Sequence, residues 1–301
     1  MKHSTWHIAG IGAMGGLIAS QFSDSGQSVR LILKTADQLA LYQKTQLTVN
    51  QITCHPDAID IEHLSDEPIH YLICTVKAYD VTPLLMRLNH RFTANSLIIL
   101  IHNGLGVLDE IKQQLPHLRI ICGISTLGAY LEGPFSIRAF LEGKLYLGDV
   151  LQTITPEEIN TIVKSFQKAS LPVEWDGSIS IRMLEKFAIN CSINLLTVLF
   201  TCKNGALREH DLIFKPLTHE IAEVLNCYGL HLTGMELLTK VDEILQKTAD
   251  NYSSMVQDVL HHRPTELPYL NEHFVRLAAK QSIQTPITNA LLQQYQTNHD
   301  H

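Results

Sequence analysis

The stretch at residues 6–33 constrains the fold of this chain more than any other part of the sequence. An apolar run at residues 6–11, typical of a short buried strand, leads directly into Gly-Ile-Gly-Ala-Met-Gly at residues 10–15. A helical segment follows, and then a second apolar run at residues 28–33. The order strand, G-x-G-x-x-G, helix, strand is the context in which this motif predicts a Rossmann-type dinucleotide-binding unit.

The residues of this motif have distinct physical roles. Gly10 permits the tight turn after the strand, Gly12 lets the backbone approach a pyrophosphate, and Gly15 lets the helix pack closely on the strand. The helix begins near Ala13 and Met14, where N–H groups and the helix dipole favour phosphate. We therefore expect these five residues to bind the cofactor.

The residue after the second strand predicts which dinucleotide is bound. NAD-binding proteins usually carry an acidic residue there, which accepts a hydrogen bond from the ribose 2′-hydroxyl. This chain has Lys34 instead, and a cation favours the 2′-phosphate of NADPH. The sequence therefore favours NADPH, although the nearby Asp37 and the alternative of a lysine in a solvated loop leave NADH open.

Three further apolar runs, at residues 71–76, 96–101 and 119–124, predict the continuation of a mostly parallel sheet. Ligands of such sheets bind beyond the carboxyl ends of the strands. Lys77 follows the first of these runs, and Asn103 follows the second in the sequence His-Asn-Gly-Leu-Gly. Lys77 could be an ordinary surface residue and Asn103 an ordinary turn residue. Because both lie at strand ends, contact with a ligand is an equally reasonable interpretation.

The pattern changes in the second half of the chain. Short alternating segments at residues 129–149 predict antiparallel strands, and Thr155 before Pro156 predicts a capped helix start. A last short strand is expected at residues 171–176, after which the pattern is helical almost to the end. The predicted fold class is an α/β N-terminal Rossmann-type dinucleotide-binding domain (residues 1–176) plus an all-α C-terminal domain (residues 177–301).

The helix predicted at residues 179–201 carries an unusual polar stripe. At roughly 100° per residue, five polar side chains share one arc about 80° wide, Lys186, Asn190, Asn194, Thr197 and Thr201. Most of the remaining circumference is apolar, which is typical of a buried helix. Because buried polar groups need partners, the stripe requires either a ligand or a neighbouring helix or water.

A later loop carries two more candidate residues. Ser254 lies in the sequence Asn-Tyr-Ser-Ser-Met, and Glu266 follows His-Arg-Pro-Thr. The simplest interpretation makes Ser254 a helix N-cap and Glu266 an acid in the first turn of the next helix. The residues alone give no reason to prefer a ligand contact at either position.

Composition excludes several other classes of function. The net charge is −7 and basic residues form no run, so nucleic acid is not expected as a partner. No apolar run approaches the roughly 18 residues that would span a membrane. The six cysteines lack C-x-x-C spacing and the sixteen histidines lack metal-ligand spacing. We therefore expect no metal site, and a cytoplasmic protein with reduced thiols.

Five blocks of sequence, taken in order, resemble the ketopantoate reductase (2-dehydropantoate 2-reductase) family. They are GIGAMGG, TVKAYDV, HNGLG, EKFAINCSINLLTVLFTCKNGAL, and SSMVQDV followed by HRPTE. Together they cover nearly the whole chain and are far more specific than the glycine motif alone. The resemblance implies NADPH-dependent reduction of the small molecule 2-dehydropantoate to (R)-pantoate, in pantothenate and coenzyme A biosynthesis. The oligomeric state, which the sequence does not fix, is expected to be a monomer or a homodimer.

The resemblance also implies roles for individual residues. Lys186 would be the catalytic lysine, and Glu266 its partner carboxylate at the substrate. The substrate would be oriented by four polar side chains, those of Asn103, Asn190, Asn194 and Ser254. Lys34 would take the 2′-phosphate position, where family members often have arginine, and Lys77 would close over the site. Asn103 would touch the cofactor as well as the substrate.

The chemistry of these residue types agrees with the implied roles. Hydride delivered to a ketone builds negative charge on the carbonyl oxygen, which then takes a proton. A lysine in a mostly apolar site can stabilise that charge and donate the proton as general acid. Two alternatives stay open. One is a dehydrogenase of the same build that acts on another small 2-oxo or 3-hydroxy acid, and the other is a non-catalytic NADPH-binding regulator.

Overall fold

In the computed structural model, which describes residues 5–299, the chain forms two compact units. The first unit runs to His102 and continues from Asp109 to Ile179. The second unit consists of Asn103–Leu108 together with the chain from Ser180 onward. The division predicted from the sequence, at residue 176, is linear and therefore places Asn103–Leu108 in the first domain.

Most strands of the first unit form one large sheet. The strands of the described chain are β1 (Trp6–Ala9), β2 (Val29–Leu33), β3 (Leu47–Val49), β4 (Ile52–Cys54), β5 (Asp57–Asp60), β6 (Tyr71–Cys74), β7 (Leu97–Ile101), β8 (Arg119–Ser125), β9 (Gly128–Gly133), β10 (Ser136–Phe140), β11 (Leu145–Gly148) and β12 (Val173–Trp175). The eight-stranded sheet has the order β12-β11-β8-β7-β6-β1-β2-β5. Its neighbours pair in parallel except β8 with β11, so the mostly parallel sheet predicted from the sequence is confirmed.

The register of this sheet aligns three functional loops of the first unit. The central strands β1 and β7 are buried along their length, and β7 is a continuous apolar run, as expected for a sheet covered on both faces. Ala9 at the end of β1 pairs with Ile32 of β2 and with Cys74 of β6. The glycine turn, the loop at Lys34 and the segment before Lys77 therefore leave the sheet at the same edge.

A smaller sheet of four strands has the order β4-β3-β10-β9. Strands β9 and β10 are antiparallel, as their alternating pattern predicts. The hairpin of β3 and β4 was not predicted, because strands of three residues are too short to show a period in the sequence.

The chain from residue 180 onward is helical wherever the structure describes it, with short 3₁₀ turns and no strand. The helices of the described chain are α1 (Ala13–Asp24), α2 (Ala36–Thr45), α3 (Ala78–Leu88), α4 (Val107–Gln114), α5 (Pro156–Lys168), α6 (Ile179–Leu199), α7 (Asp211–Asn226), α8 (Gly234–Lys247), α9 (Ser254–Leu260), α10 (Asn271–Lys280) and α11 (Pro286–His299). The predicted all-α second unit is confirmed, as is Thr155 as the N-cap of α5. Over residues 5–299, every helix is too short or too polar to cross a bilayer.

Two local predictions were wrong. The first concerns the end of α6, which is at Leu199, so that Thr201 lies beyond the helix and outside the polar stripe. Thr201 has a φ of +48°, and its N–H donates to the carbonyl of Val198, while the N–H of Cys202 donates to that of Thr197. This is a Schellman end, with threonine at the left-handed position that glycine usually occupies.

The second error concerns the N-cap of α9, which is Ser253 and not Ser254. The Ser253 hydroxyl accepts a hydrogen bond from the N–H of Val256 at 3.2 Å. Ser254 is the first residue of the helix, and its side chain is exposed. Both serines are acceptable caps by residue type, so the sequence alone placed the helix start one residue too late.

Candidate active site

The turn after β1 requires residues without a side chain at two points. Gly10 has a φ of +87°, and a Cβ there would collide with the backbone of Val76. A Cβ on Gly15 would overlap the carbonyl oxygen of Gly10 and the hydroxyl of Thr75. The tight turn and the close packing of α1 therefore both depend on glycine, for the reasons that the motif predicts.

Gly12 is a glycine for a different reason. Its φ of −87° suits any residue, and no described atom lies within 4 Å of the place where its Cβ would be. It is the N-cap of α1 and offers no side chain to the first N–H groups of that helix, which have no intrahelical partner. The open space over the N–H groups of Ala13 and Met14 is a cradle that a side chain would fill, and it fits a dinucleotide pyrophosphate.

Lys34 directly follows β2, the position from which a dinucleotide ribose is read. Its Nζ lies 3.3 Å from Oδ1 of Asp80, in the first turn of α3. The side chains of this pair are 68% and 38% exposed, so the pair contributes about 0–1 kcal/mol and would yield readily to a phosphate. The competing Asp37 lies in the first turn of α2, where the helix dipole stabilises a carboxylate.

Lys77 lies at the N-cap of α3, at the same sheet edge as the glycine turn. The N–H of Thr75, two residues earlier, donates to the carbonyl of Ala9 at 2.9 Å. The carbonyl of Lys77 accepts a hydrogen bond from the N–H of Asp80 at 2.8 Å. The structure therefore brings together, within the first unit, the predicted cofactor residues around Gly10, Lys34 and Lys77.

The loop Asn103–Leu108 packs within the helical unit. Gly104 and Gly106 have φ values of +84° and +99°. A Cβ on Gly104 would collide with the backbone of Tyr269, and one on Gly106 would collide with the ring of His273. The two glycines therefore allow this loop to approach the polypeptide around the start of α10 closely, and this contact fixes the position of Asn103.

Glu266 is a buried carboxylate, 3% exposed, that Asn103 contacts directly. Asn103 Nδ2 donates to Oε2 of Glu266 at 3.2 Å.

A second pair fixes the loop before Glu266, because Nε of Arg263 donates to Oδ1 of Asp258 at 3.1 Å. The N–H of Arg263 also donates to the carbonyl of Asp258 at 2.8 Å. The sequence did not predict this second pair, because its only signal there is two opposite charges five residues apart.

Lys186 lies on α6 and interacts electrostatically with Glu266. Burial lowers the pKa of the Lys186 ammonium from its ordinary value, and the Glu266 carboxylate acts against that shift by raising it. The structure therefore brings together the two residues to which the resemblance assigns catalysis. A lysine whose pKa is lowered is a stronger proton donor than an exposed lysine, which suits a general acid.

Asn190 and Asn194 lie one and two turns along α6 from Lys186. Asn194 is only 5% exposed. Throughout the part of the chain that the structure describes, neither side-chain amide makes a hydrogen bond to the protein. Asn190 is only partly buried, and both amides have hydrogen-bonding capacity that suits them to bind the oxygen atoms of a ligand.

Thr197, the next member of the stripe, has a protein partner. It is fully buried, and its hydroxyl lies 2.7 Å from the hydroxyl of Ser253. The two interpretations of the stripe therefore each apply to a part of it: Asn190 and Asn194 can serve a ligand, and Thr197 serves a neighbouring helix. The sequence offers two adjacent serines as candidates for a role here, and Ser254 rather than Ser253 was the predicted one.

Over residues 5–299 there is no group of three or more histidine, cysteine, aspartate or glutamate side chains placed to hold a metal ion. Lys186 and Glu266 supply one ammonium and one carboxylate, a pair suited to proton transfer and hydrogen bonding.

Comparison with protein families covers both units of the chain. The family described as ketopantoate reductase PanE/ApbA matches residues 6–152, and the C-terminal part of the same family matches residues 178–298. The 2-dehydropantoate 2-reductase of Vibrio cholerae serotype O1 is 30% identical over 299 residues, which cover 96% of this chain and 96% of that protein.

Solved structures share the fold at lower identity. A structure of D-mandelate dehydrogenase with NADH and anilino(oxo)acetate matches with a TM-score of 0.89 at 21% identity, and covers 98% of each chain. The dimeric ketopantoate reductase of Staphylococcus aureus matches with a TM-score of 0.80 at 20% identity, over 98% of this chain and 99% of that chain. Both confirm the α/β plus all-α fold.

Proposed function

Because this chain belongs to the ketopantoate reductase family, we propose that it reduces 2-dehydropantoate to (R)-pantoate, a step of pantothenate and coenzyme A biosynthesis, with NADPH as the reductant. The chain is thus an oxidoreductase. The observation that carries the proposed mechanism is the interaction of Lys186 with Glu266, to which Asn103 donates a hydrogen bond.

The cofactor's part is supported by the residues of the first unit. When bound, the reduced dinucleotide supplies the hydride that the ketone takes up. Gly12 and the N-terminus of α1 would hold the pyrophosphate, and Lys34 would pair with the 2′-phosphate. Lys77 would close over the bound cofactor from the start of α3.

Lys186 acts as the general acid in this proposal. The ketone oxygen gains negative charge as the carbonyl carbon is reduced, and the ammonium stabilises that charge before it gives up a proton. The product is a hydroxyl group and a neutral lysine, which regains its proton from solvent. The lowered pKa of Lys186 favours the transfer, and the Glu266 carboxylate acts against the lowering because it stabilises the charged form of the lysine.

Glu266 and the asparagines orient the substrate. Glu266 would accept a hydrogen bond from the substrate hydroxyl, and the amide of Asn103 holds the carboxylate in position for this. Asn190 and Asn194 would donate to the ketone and carboxylate oxygens, which supplies the partners that the protein does not. Ser254 would add a hydroxyl from the first turn of α9. Asn103 would also touch the cofactor.

The preference for NADPH rests on Lys34, since the fold does not decide it. The related D-mandelate dehydrogenase was solved with NADH on the same fold. A lysine lacks the two-pronged geometry of arginine, so we expect the preference to be real but softer than an arginine would give. We place the enzyme in the cytoplasm, as a monomer or a homodimer, and the S. aureus relative supports the dimer.

A second candidate is the reduction of a different small 2-oxo acid, which the likeness to D-mandelate dehydrogenase brings to mind. The test is a comparison of kcat/KM for 2-dehydropantoate, 2-oxobutanoate and phenylglyoxylate with NADPH. We expect 2-dehydropantoate to be preferred by at least about tenfold, because its hydroxyl pairs with Glu266. A preference for phenylglyoxylate would favour the second candidate, and cofactor binding without turnover of any acid would favour a regulator.

A further inference from the structure

Two hydroxyl groups meet in the interior of the helical unit. Thr197 of α6 is 0% exposed and Ser253 is 6% exposed, and their hydroxyl oxygens lie 2.7 Å apart. Met255 and Val256, which follow Ser254 in the chain, are also buried. A polar pair in such surroundings must be fully hydrogen-bonded to avoid a cost in stability.

The direction of each hydrogen bond follows from the number of hydrogens. The Thr197 hydroxyl donates to the carbonyl oxygen of Asn194 at 2.8 Å. A hydroxyl has one hydrogen, so the hydrogen between the two hydroxyls must come from Ser253. The Ser253 oxygen in turn accepts from the N–H of Val256 at 3.2 Å. Each donor in this chain of hydrogen bonds has an acceptor, and the chain runs from the first turn of α9 to the carbonyl of Asn194 on α6.

We propose that Thr197 and Ser253 are positioning residues, whose hydrogen bond holds the Ser254 hydroxyl at a fixed place relative to Asn190 and Asn194. The N-cap bond from Val256 orders α9 internally, whereas the bond to Thr197 ties α9 to α6. Apolar contacts are not directional and would allow α9 to shift, but a hydrogen bond of 2.7 Å defines one position. The substrate named in the tests below rests on the proposed function.

The first test removes the Thr197 hydroxyl at nearly constant volume. In Thr197→Val, the Ser253 hydrogen loses its acceptor and the Ser254 hydroxyl is displaced, so we expect KM for 2-dehydropantoate to rise about tenfold, the effect of losing one hydrogen bond to the substrate. The value of kcat should change less than about threefold, because Lys186 and Glu266 are untouched. The NADPH dissociation constant should not change. Thr197→Ser restores the hydroxyl and should return KM to near the wild-type value.

Two control variants distinguish positioning from stability. Thr218 on α7 is also 0% exposed, and its hydroxyl donates to the carbonyl three residues earlier at 3.1 Å, but it has no partner on another helix among residues 5–299. Ser192 on α6 is fully buried and donates to the carbonyl of Ala188 at 2.9 Å. Thr218→Val and Ser192→Ala should lower the melting temperature without raising KM. An equal rise in KM in either control would overturn the proposal.

A double-mutant cycle tests whether the pair acts through Ser254. Ser254→Ala should raise KM in the wild-type background, and it should raise KM much less in the Thr197→Val background, where the hydroxyl is already misplaced. Two independent effects that multiply would contradict the proposed coupling. Ser253→Ala provides the second variant if Thr197→Val does not fold.

Hydrogen exchange gives a readout that needs no substrate. The N–H of Val256 should exchange faster in Thr197→Val than in Thr218→Val at matched stability, because its acceptor is no longer anchored to α6. Unchanged exchange would overturn the positioning role. If the wild-type enzyme fails to reduce 2-dehydropantoate, the proposed function fails, whereas the exchange comparison still decides whether Thr197 anchors α9.

Discussion

At the scale of single residues, the reactivity of Lys186 depends on two opposing influences. Burial in the helical unit lowers its pKa, and the carboxylate of Glu266 raises it. A general acid must be protonated to act, so activity is lost as pH rises through the pKa of Lys186. We therefore expect Glu266 to influence the pH range of the enzyme as well as the orientation of the substrate.

Glu266→Gln separates these effects. Glutamine keeps an oxygen that can accept from Asn103 but carries no charge, so the influence that raises the lysine pKa is removed. We expect the descending limb of kcat/KM against pH to move to lower pH. Glu220→Gln, which neutralises a buried carboxylate that accepts from the N–H groups of Ile287 and Thr288, should leave the limb in place. An unmoved limb in Glu266→Gln would show that Glu266 does not control the lysine.

The proposed role of Lys34 in selecting NADPH over NADH can be tested independently of Lys186. Lys34→Asp replaces the cation with a carboxylate that repels a 2′-phosphate, so the ratio of kcat/KM for NADPH over NADH should fall at least about tenfold. Asp80→Asn removes the ion-pair partner of Lys34 but keeps the lysine, and should preserve or increase the preference. If Lys34→Asp leaves the ratio unchanged, another residue must bind the phosphate.

At the scale of elements, two glycines near the N-terminus of α1 are expected to have different roles. Gly15 is needed for the fold, whereas Gly12 is proposed to be needed for binding the cofactor. Gly12→Ala places a methyl group where no described atom is near, in a backbone region that alanine adopts readily. We expect its melting temperature to stay close to that of the wild type while NADPH binding weakens at least about tenfold, because the cradle is filled. The measurements are thermal unfolding and a cofactor titration.

Gly15→Ala is the matched variant on the same helix. Its methyl group would overlap the carbonyl of Gly10 and the hydroxyl of Thr75, so it should lower the melting temperature as well as cofactor binding. If Gly12→Ala binds NADPH normally, the space over α1 is not the phosphate site.

Elements were predictable where a periodic pattern ran long enough. The apolar runs of β1, β6 and β7 and the long period of α6 are clear in the sequence, and so is the start of α5 with Thr155 as its N-cap. The end of α6 could not be predicted, because Thr201 adopts a left-handed conformation that the residue type does not favour. The choice of Ser253 over Ser254 as cap depended on a contact with Thr197, 56 positions away.

At the scale of the whole molecule, the second unit is built from two separate stretches of the chain, which the sequence did not predict. A division at residue 176 was reasonable, since the pattern turns helical there, but it could not show that Asn103–Leu108 belongs with the later helices. The contact between Asn103 and Glu266 joins residues 163 positions apart, and no local pattern encodes such a contact. The resemblance to a known family predicted that both residues serve one site, although their contact became visible only in the structure.

Gly104→Ala tests the place of this segment. At a φ of +84°, with the backbone of Tyr269 close by, an added methyl group should push Asn103 away from Glu266. We expect kcat/KM for the keto acid to fall by at least about tenfold, while NADPH affinity falls by less, because Asn103 is only one of the residues proposed to contact the cofactor and the others lie in the first unit. Gly133→Ala, where no described atom is near the added Cβ, is the control. If Gly104→Ala lowered only the affinity for NADPH and left kcat/KM for the keto acid at saturating NADPH unchanged, the segment would contribute to cofactor binding and not to the position of the substrate.

The most direct test of the account is the rate of NADPH oxidation with 2-dehydropantoate, for the wild-type enzyme and for Lys186→Ala. We expect rapid substrate-dependent oxidation by the wild type and a fall in kcat of about 10²–10⁴-fold in the variant, the usual contribution of a general acid. The NADPH dissociation constant should stay within a few-fold. A variant that turns over at the wild-type rate, or that loses cofactor binding instead of catalysis, would contradict the assignment of Lys186 as the proton donor.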